Sequence, residues 1–181
     1  MSYITIRRLM AEDAAYFAAE ECAQGWHSTP AKLEMRLQDE KNGMCVSFVA
    51  EVDGITAGYV FLYHQPHSGA FAGQQIPEIA DFTVLEKFRR HGIGNRLMDA
   101  AEAEAAKSSS RVCLGVGLHA GYGSAQRMYV KRGYIPDGSG VWYNDNVCPP
   151  YTACENDDGL ILYLCKEFSN DKISGTDSTF A

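Results

Sequence analysis

The sequence predicts a single α/β domain built on a mixed sheet, and three stretches carry that expectation. Glu78 to Arg96 (EIADFTVLEKFRRHGIGNR) reads as an apolar strand, a glycine turn and a helix in immediate succession. Cys45 to Val52 and Ile55 to Tyr63 alternate in strand fashion on either side of Asp53-Gly54, the two-residue signal of a tight antiparallel hairpin. Arg111 to Leu118 (RVCLGVGL) is apolar almost throughout and follows a helical stripe, which is the pattern of a buried strand lying parallel to its predecessor across a right-handed crossover.

The elements follow in order. Ser2 to Leu9, with Ile4 and Ile6 set between polar residues, predicts a half-buried first strand, and Ala11-Glu12-Asp13 opens a helix to about Cys22. Gln24-Gly25-Trp26-His27-Ser28 breaks that helix. Thr29-Pro30 then starts a second one through Leu33, Met35 and Leu37, because Thr suits the cap and Pro the first turn. Beyond the hairpin, His64 to Gln75 is a polar, Gly-rich loop; His64 and His67 have no third ligand placed to complete a metal site, so no metal is expected.

Ile76 to Leu85 is the central strand. Strict alternation sets Glu78, Ala80, Phe82 and Val84 on one side and Ile79, Asp81 and Thr83 on the other, so its two acids point opposite ways. Ile93, Leu97, Met98, Ala101 and Ala105 form the stripe of the next helix, with Asp99, Glu102 and Glu104 facing water. A fourth helix starts at Ser124 or just before it and stops at Lys131-Arg132-Gly133, with cations and glycine where a C-terminus favours them. Val141-Trp142-Tyr143 is a short strand and Leu160 to Cys165 the last one. The loop of about 16 residues between them is long by ordinary statistics, which suits a lid or an acceptor wall. Ser169 to Ala181 is polar and aperiodic and reads as a disordered tail, leaving residues 1–168 as the domain.

Composition narrows the function classes. A chain of 181 residues buries on the order of 70% of its unfolded surface, so its core needs neither metal nor disulfide. Sixteen Lys plus Arg against 23 Asp plus Glu give a net charge of −7, which disfavours nucleic acid and suits a cationic acceptor. The N-terminus lacks the apolar run of a signal peptide and no stretch is long enough to span a bilayer, so a cytoplasmic protein without membrane contact, a monomer or a homodimer, is expected. The six cysteines form no CxxC pair and read as reduced thiols, with Cys148–Cys154 the one alternative pairing.

The candidate functional feature is Arg89-Arg90-His91-Gly92-Ile93-Gly94-Asn95. Glycines at 92 and 94 remove Cβ atoms that would hold an anion off the backbone, and the first helical amides carry unsatisfied donors and partial positive charge. Arg89, Arg90 and Arg96 add cations for phosphate oxygens. Two better-known phosphate loops fail on the same letters. A dinucleotide fingerprint needs glycine where Leu97 stands, and a P-loop needs Gly-Lys-Ser/Thr where this chain has Gly94-Asn95-Arg96. The competing reading is a surface loop whose glycines only permit a tight turn.

Arg89-x-x-Gly92-x-Gly94 resembles the acetyl-CoA motif of the GNAT superfamily of N-acetyltransferases, Gln/Arg-x-x-Gly-x-Gly/Ala after a central strand. Downstream, Ala125-x-x-x-Tyr129-x-x-x-Gly133-Tyr134 resembles the family's Ala-x-x-x-Tyr-x-x-x-Gly-Phe/Tyr helix. The resemblance covers roughly residues 2 to 167. It implies a GNAT-like fold: a central, mostly antiparallel sheet, splayed between two parallel strands and flanked by about four helices. It further implies acetyl-CoA as co-substrate and a direct transfer to an amine.

The same resemblance assigns roles. Glu78, eleven residues before Arg89, matches the general base of histone-type members, and Tyr129 matches the proton donor to the departing thiolate. Backbone near Phe82 and Val84 binds the pantetheine arm and polarises the thioester. Trp26 and His27 border the acceptor site, with Trp142 and Tyr143 from the variable loop as further substrate contacts. Simpler readings stand beside each: Glu78 solvated at a strand edge, Tyr129 and Trp26 merely packed, His27 in water. The family often carries Asn where this chain has Tyr122, leaving Tyr122 or Ser124 as the substitute. A small-molecule amine is the favoured acceptor; a protein N-terminus or lysine, or a non-catalytic acyl-CoA sensor, are the alternatives.

Overall fold

The computed structural model describes residues 3–168; the tail expected from 169 onward lies outside them. The elements run β1 (Ile4–Arg7), α1 (Ala11–Ala23), α2 (Pro30–Lys41), β2 (Cys45–Val52), β3 (Ile55–Tyr63), β4 (Glu78–Val84), α3 (Ile93–Ala105), β5 (Arg111–Gly117), α4 (Gly123–Lys131), β6 (Ile135–Tyr143), β7 (Asn146–Val147) and β8 (Leu160–Glu167). Short 3-10 turns at Glu86–Phe88 and Ala120–Tyr122 lead into α3 and α4. The strands form one eight-stranded sheet in the order β1-β2-β3-β4-β5-β8-β6-β7. Only β4 and β5 run parallel; every other neighbour is antiparallel.

The hairpin expected at Asp53-Gly54 is present. Both residues have positive φ (50° and 80°), as a two-residue turn that matches strand twist requires, and Val52 pairs with Ile55 across it. One face of the sheet is covered by α3 and α4, where Ile93, Leu97, Met98 and Ala101 pack on Val60, Leu62 and Ile79. The other is covered by α1 and α2, where Phe17 and Leu33 pack on Val49, Tyr59 and Phe61. Arg7 links three elements, meeting Asp13 of α1 at 2.6 Å and Glu51 of β2 at 2.7 Å.

The central strand does not alternate as expected. Tyr59 pairs with Thr83 but Phe61 pairs with Ala80, so Val60 faces two residues of β4, Asp81 and Phe82. This is a β-bulge, with Asp81 in the left-handed region at φ +50°. The extra residue shifts the phase of everything after it. Asp81 turns to the α2 face, where Arg36 Nε donates to its Oδ2 at 2.6 Å, whereas Phe82 and Val84 pack with the α3 cluster. Glu78 therefore shares a face with Asp81 rather than opposing it. Beyond the bulge β4 leaves β5: the two pair only at Glu78–Cys113 and Ile79–Leu114 and then part.

Three further expectations need correction. Glu102 is buried, because Arg132 from the end of α4 (2.8 Å), Lys166 of β8 (2.6 Å) and the Tyr134 hydroxyl (3.1 Å) converge on its carboxylate. The strand read at Val141 begins six residues earlier, at Ile135, its register to β8 shifting between Pro136 and Val141. The long loop opens as a second hairpin, since Asn144 and Asp145 both take positive φ (49° and 61°) and return the chain as β7.

Burial alone would raise the Glu102 carboxyl, but hydrogen bonds from Arg132 and Lys166 outweigh it and lower its pKa. A carboxyl lowered on folding stabilises above its unfolded value and loses that contribution as pH falls through the folded value. Glu102→Ala should cost about 3 kcal/mol in urea unfolding at pH 7, since it strands two cations. The gap from wild type should close below about pH 4.

Candidate active site

The head of α3 is an open cradle. Gly92 stands at the N-cap with φ +80° and no side chain caps the first turn. Among the described residues the amides of 90–95 have no hydrogen-bond partner. A Cβ on Gly92 would meet nothing within 4 Å, so the approach to those amides is clear. Gly94 has a packing role as well. A Cβ there would lie 3.1 Å from Cζ of Phe82, so this glycine lets α3 close on β4.

The cations divide. Arg89 is engaged with Glu86 at 3.2 Å, with the Val84 carbonyl at 3.2 Å and with the Trp26 ring, whose centroid is 5.5 Å from its guanidinium. Arg90 and Arg96 are exposed and have no ion pair among the described residues. His91 and Asn95 are exposed as well, whereas Ile93 points into the core and offers only its amide.

The parted strands make the groove beside this cradle. Past Ile79, the edge of β4 facing β5 has no strand partner, which leaves backbone near Phe82 and Val84 open on that side. Leu85 is not free, since its amide donates to the Ala57 carbonyl at 3.0 Å. Tyr129 of α4 closes the back, its ring edge-on to Phe82 (6.3 Å) and Tyr134 (5.8 Å). Its hydroxyl makes no hydrogen bond among the described residues, and burial pushes its pKa up, so the proton stays on at neutral pH. Ser124 is exposed in the first turn of α4, and the Tyr122 hydroxyl is already bound to Asp158.

Glu78 opens β4, half-buried and paired on both sides, with Tyr63 and Cys113. Its carboxyl has no ion pair or hydrogen bond among the described residues. Burial first, then the charge of Asp81, pushes it up to about 7, with Arg36 opposing and Asp145 adding to the rise. Asp81 is spoken for by Arg36 and by Lys32 at 3.2 Å, so it anchors the bulge and leaves Glu78 as the carboxyl without a partner.

The expected acceptor contacts fall in two places. Trp26 lies against Arg89 of the glycine loop, and His27 is exposed on the same turn. Trp142 stands on the Glu78 side, edge-on to Tyr163 at 5.5 Å and packed with the cluster of Phe71, Ile76 and Cys113. Tyr143 packs over Gly159 at the base of the long loop. Tyr163 and Arg36 were not singled out from sequence. Tyr163 sits inside an apolar run, and Arg36 follows Lys32 by one helical turn, a spacing that only later reads as two cations aimed at one acid. The six cysteines are free thiols, and Cys113 is buried with its pKa pushed up, unsuited to a covalent relay.

A cradle for an anion, an open strand edge and an unpartnered carboxyl lie together along β4 and the head of α3, an arrangement suited to a transferase. The sequence matches the acetyltransferase (GNAT) family over residues 9–134, and the chain belongs to that family. No curated protein matches the sequence. Solved structures with the same fold include ribosomal-protein-alanine N-acetyltransferase from Brucella melitensis, with 16% identity and a TM-score of 0.66 over 91% of this chain and 99% of that one. A spermidine N-acetyltransferase SpeG chimera from Vibrio cholerae and hSSAT has 13% identity and a TM-score of 0.65 over 91% and 95%. A GNAT family acetyltransferase from Elizabethkingia anophelis with acetyl-CoA bound has 21% identity and a TM-score of 0.59 over 91% and 98%. Among the described residues no helix is long and apolar enough to cross a membrane.

A carboxyl whose pKa rises on folding costs stability once pH exceeds its unfolded value, and the full cost is reached above the folded value. Glu78→Gln should therefore stabilise the protein by up to about 3 kcal/mol at pH 8, with no gain below about pH 4.5. Chemical denaturation across that range, or direct NMR titration of the carboxyl near pH 7, checks it.

Proposed function

We propose that this acetyltransferase moves the acetyl group of acetyl-CoA directly to a primary amine of a small molecule, with both substrates bound at once. The observation that carries the reading is Glu78: a half-buried carboxyl with no partner, its pKa raised to about 7, at the start of the strand that borders the groove. Diphosphate suits the amides of residues 90–95 with Arg90 and Arg96, and the pantetheine arm suits the open edge of β4 by Phe82 and Val84. The acetyl-CoA held by one structural relative is consistent with that fit.

At neutral pH an alkyl amine is about 99.9% protonated and cannot attack. Glu78, as carboxylate, takes a proton from the ammonium, passes it to solvent and leaves a neutral amine. The nitrogen then bonds to the thioester carbonyl carbon while backbone donors on β4 stabilise the oxyanion. When the carbon–sulfur bond breaks, Tyr129 gives its proton to the thiolate and regains one from solvent; the nitrogen's second proton leaves through Glu78. The acceptor wall is supplied by Trp142, Tyr143 and Asp145, whose charge reaches Glu78. Acidic surroundings favour a cation, and a spermidine enzyme stands among the relatives of the same fold.

A panel of polyamines, aminoglycosides and peptide N-termini assayed for coenzyme A release tests the acceptor class, and turnover with peptides alone would overturn the small-molecule assignment. Glu78→Gln and Tyr129→Phe should each lower kcat by on the order of 10²-fold with coenzyme A affinity kept. In wild type, kcat/KM should rise as pH passes through about 7, where Glu78 ionises. Coenzyme A should raise the melting temperature, and Gly92→Asp should abolish the shift. Aspartate tolerates positive φ better than most residues, so the variant should fold yet repel the diphosphate.

A further inference from the structure

One carboxylate oxygen on the loop that leads into β8 holds the segment between β5 and α4. Asp158 Oδ1 lies 3.0 Å from His119 Nε2 and accepts a hydrogen bond from the Tyr122 hydroxyl at 2.8 Å. The Gly121 amide donates to His119 Nδ1 at 3.1 Å, so Nδ1 is the bare nitrogen and Nε2 carries the hydrogen aimed at Asp158. The two rings also meet edge-on at 4.6 Å.

Tyr122 is consequently a fixed wall. Its ring covers Gly117, the last residue of β5, so closely that a Cβ there would collide with it, and Gln126 of α4 donates to the Gly117 carbonyl at 2.8 Å. Tyr122 packs on the cluster that contains Phe82 and Tyr129, on the β5 side of the groove. Its hydroxyl, turned to Asp158, is not the donor to the thiolate.

Asp158 belongs to the loop read above as the acceptor wall. It lies where the long loop rejoins β8, beside the closure formed by Asn144 N–H to the Gly159 carbonyl (3.2 Å) and Gly159 N–H to Asp157 (2.9 Å). The loop folds over an open hollow floored by Leu118, Val141 and Leu160, and the Leu118 amide donates to the Leu160 carbonyl at 3.2 Å. Its hairpin tip carries Asp145, the residue whose charge reaches Glu78.

We infer that Asp158 is a positioning residue that ties the acceptor-side loop to the wall of the coenzyme groove, presetting Tyr122 for the arm of acetyl-CoA. The inference rests on the acetyl-CoA reading above. A wall held in place before binding saves the cost of ordering it, so its loss should appear in affinity and KM, with little change in kcat. Asp158 is exposed, its side chain 81% accessible, so its loss should hardly touch global stability.

Calorimetry with coenzyme A, and kinetics with acetyl-CoA and an accepted amine, test this. Asp158→Ala should weaken coenzyme A binding and raise the acetyl-CoA KM about five- to tenfold, with kcat within about twofold. Its melting temperature should stay within about 2 °C of wild type. Asp158→Asn, which keeps an oxygen acceptor in place, should recover most of the loss. Tyr122→Phe, which keeps the ring, should lose about threefold, and it decides the matter alone should the alanine variant not fold. Wild-type affinity in Asp158→Ala and Tyr122→Phe, or equal losses in kcat and affinity with no rescue by asparagine, overturns the inference and leaves the acetyl-CoA reading intact. A wild type that does not bind coenzyme A overturns both.

Discussion

The extra residue in β4 is the constraint from which the rest of the site follows. A strand that gains one residue against its partner bends and twists, and here the bend carries β4 away from β5 after two pairs. The same insertion turns Asp81 toward α2 and Phe82 toward α3, so one irregularity both opens the groove and furnishes it. Left-handed backbone at a non-glycine residue needs compensation, and Arg36 and Lys32 supply it through the Asp81 carboxylate. Helix α2, remote from the glycine loop in sequence, thereby holds the strand in the shape that the loop requires.

The protein treats three of its buried and half-buried acids in opposite ways. Glu102 receives two cations and a hydroxyl, which outweigh the penalty of burial and make it a tie among α3, α4 and β8. Asp81 receives two cations and fixes the bulge. Glu78 receives none, and burial beside like charge leaves its proton loosely held at neutral pH. Local stability is surrendered at Glu78 and recovered at Glu102, a distribution expected where a fold carries a chemical task.

Much of this was legible from the chain because it is local. The Asp53-Gly54 turn, the apolar run at Arg111 and the Gly92 position each follow from spacing within a few residues. The bulge was not, since Ala80-Asp81-Phe82-Thr83 contains neither Gly nor Pro to mark it; Asp81, tolerant of positive φ, was the faint sign. Glu102 read as solvated because its partners, Arg132 and Lys166, lie 30 and 64 residues further along the chain. Asn144-Asp145 did carry a hairpin signal, obscured by the length of the loop that follows. The packing of Trp142 on Tyr163 depends on sheet order, with β8 inserted between β5 and β6, and no periodicity reports that.

The sheet is in effect two antiparallel plates, β1 to β4 and β5 to β7 with β8, stitched together along a seam of two residue pairs. Separating them sacrifices fewer main-chain bonds than any cut within the β2–β3, β3–β4 or β5–β8 ladders. Helix α3, packed beneath strands of the first plate and tethered through Glu102 to Lys166 of the second, then acts as the hinge pin that limits how far the seam can gape.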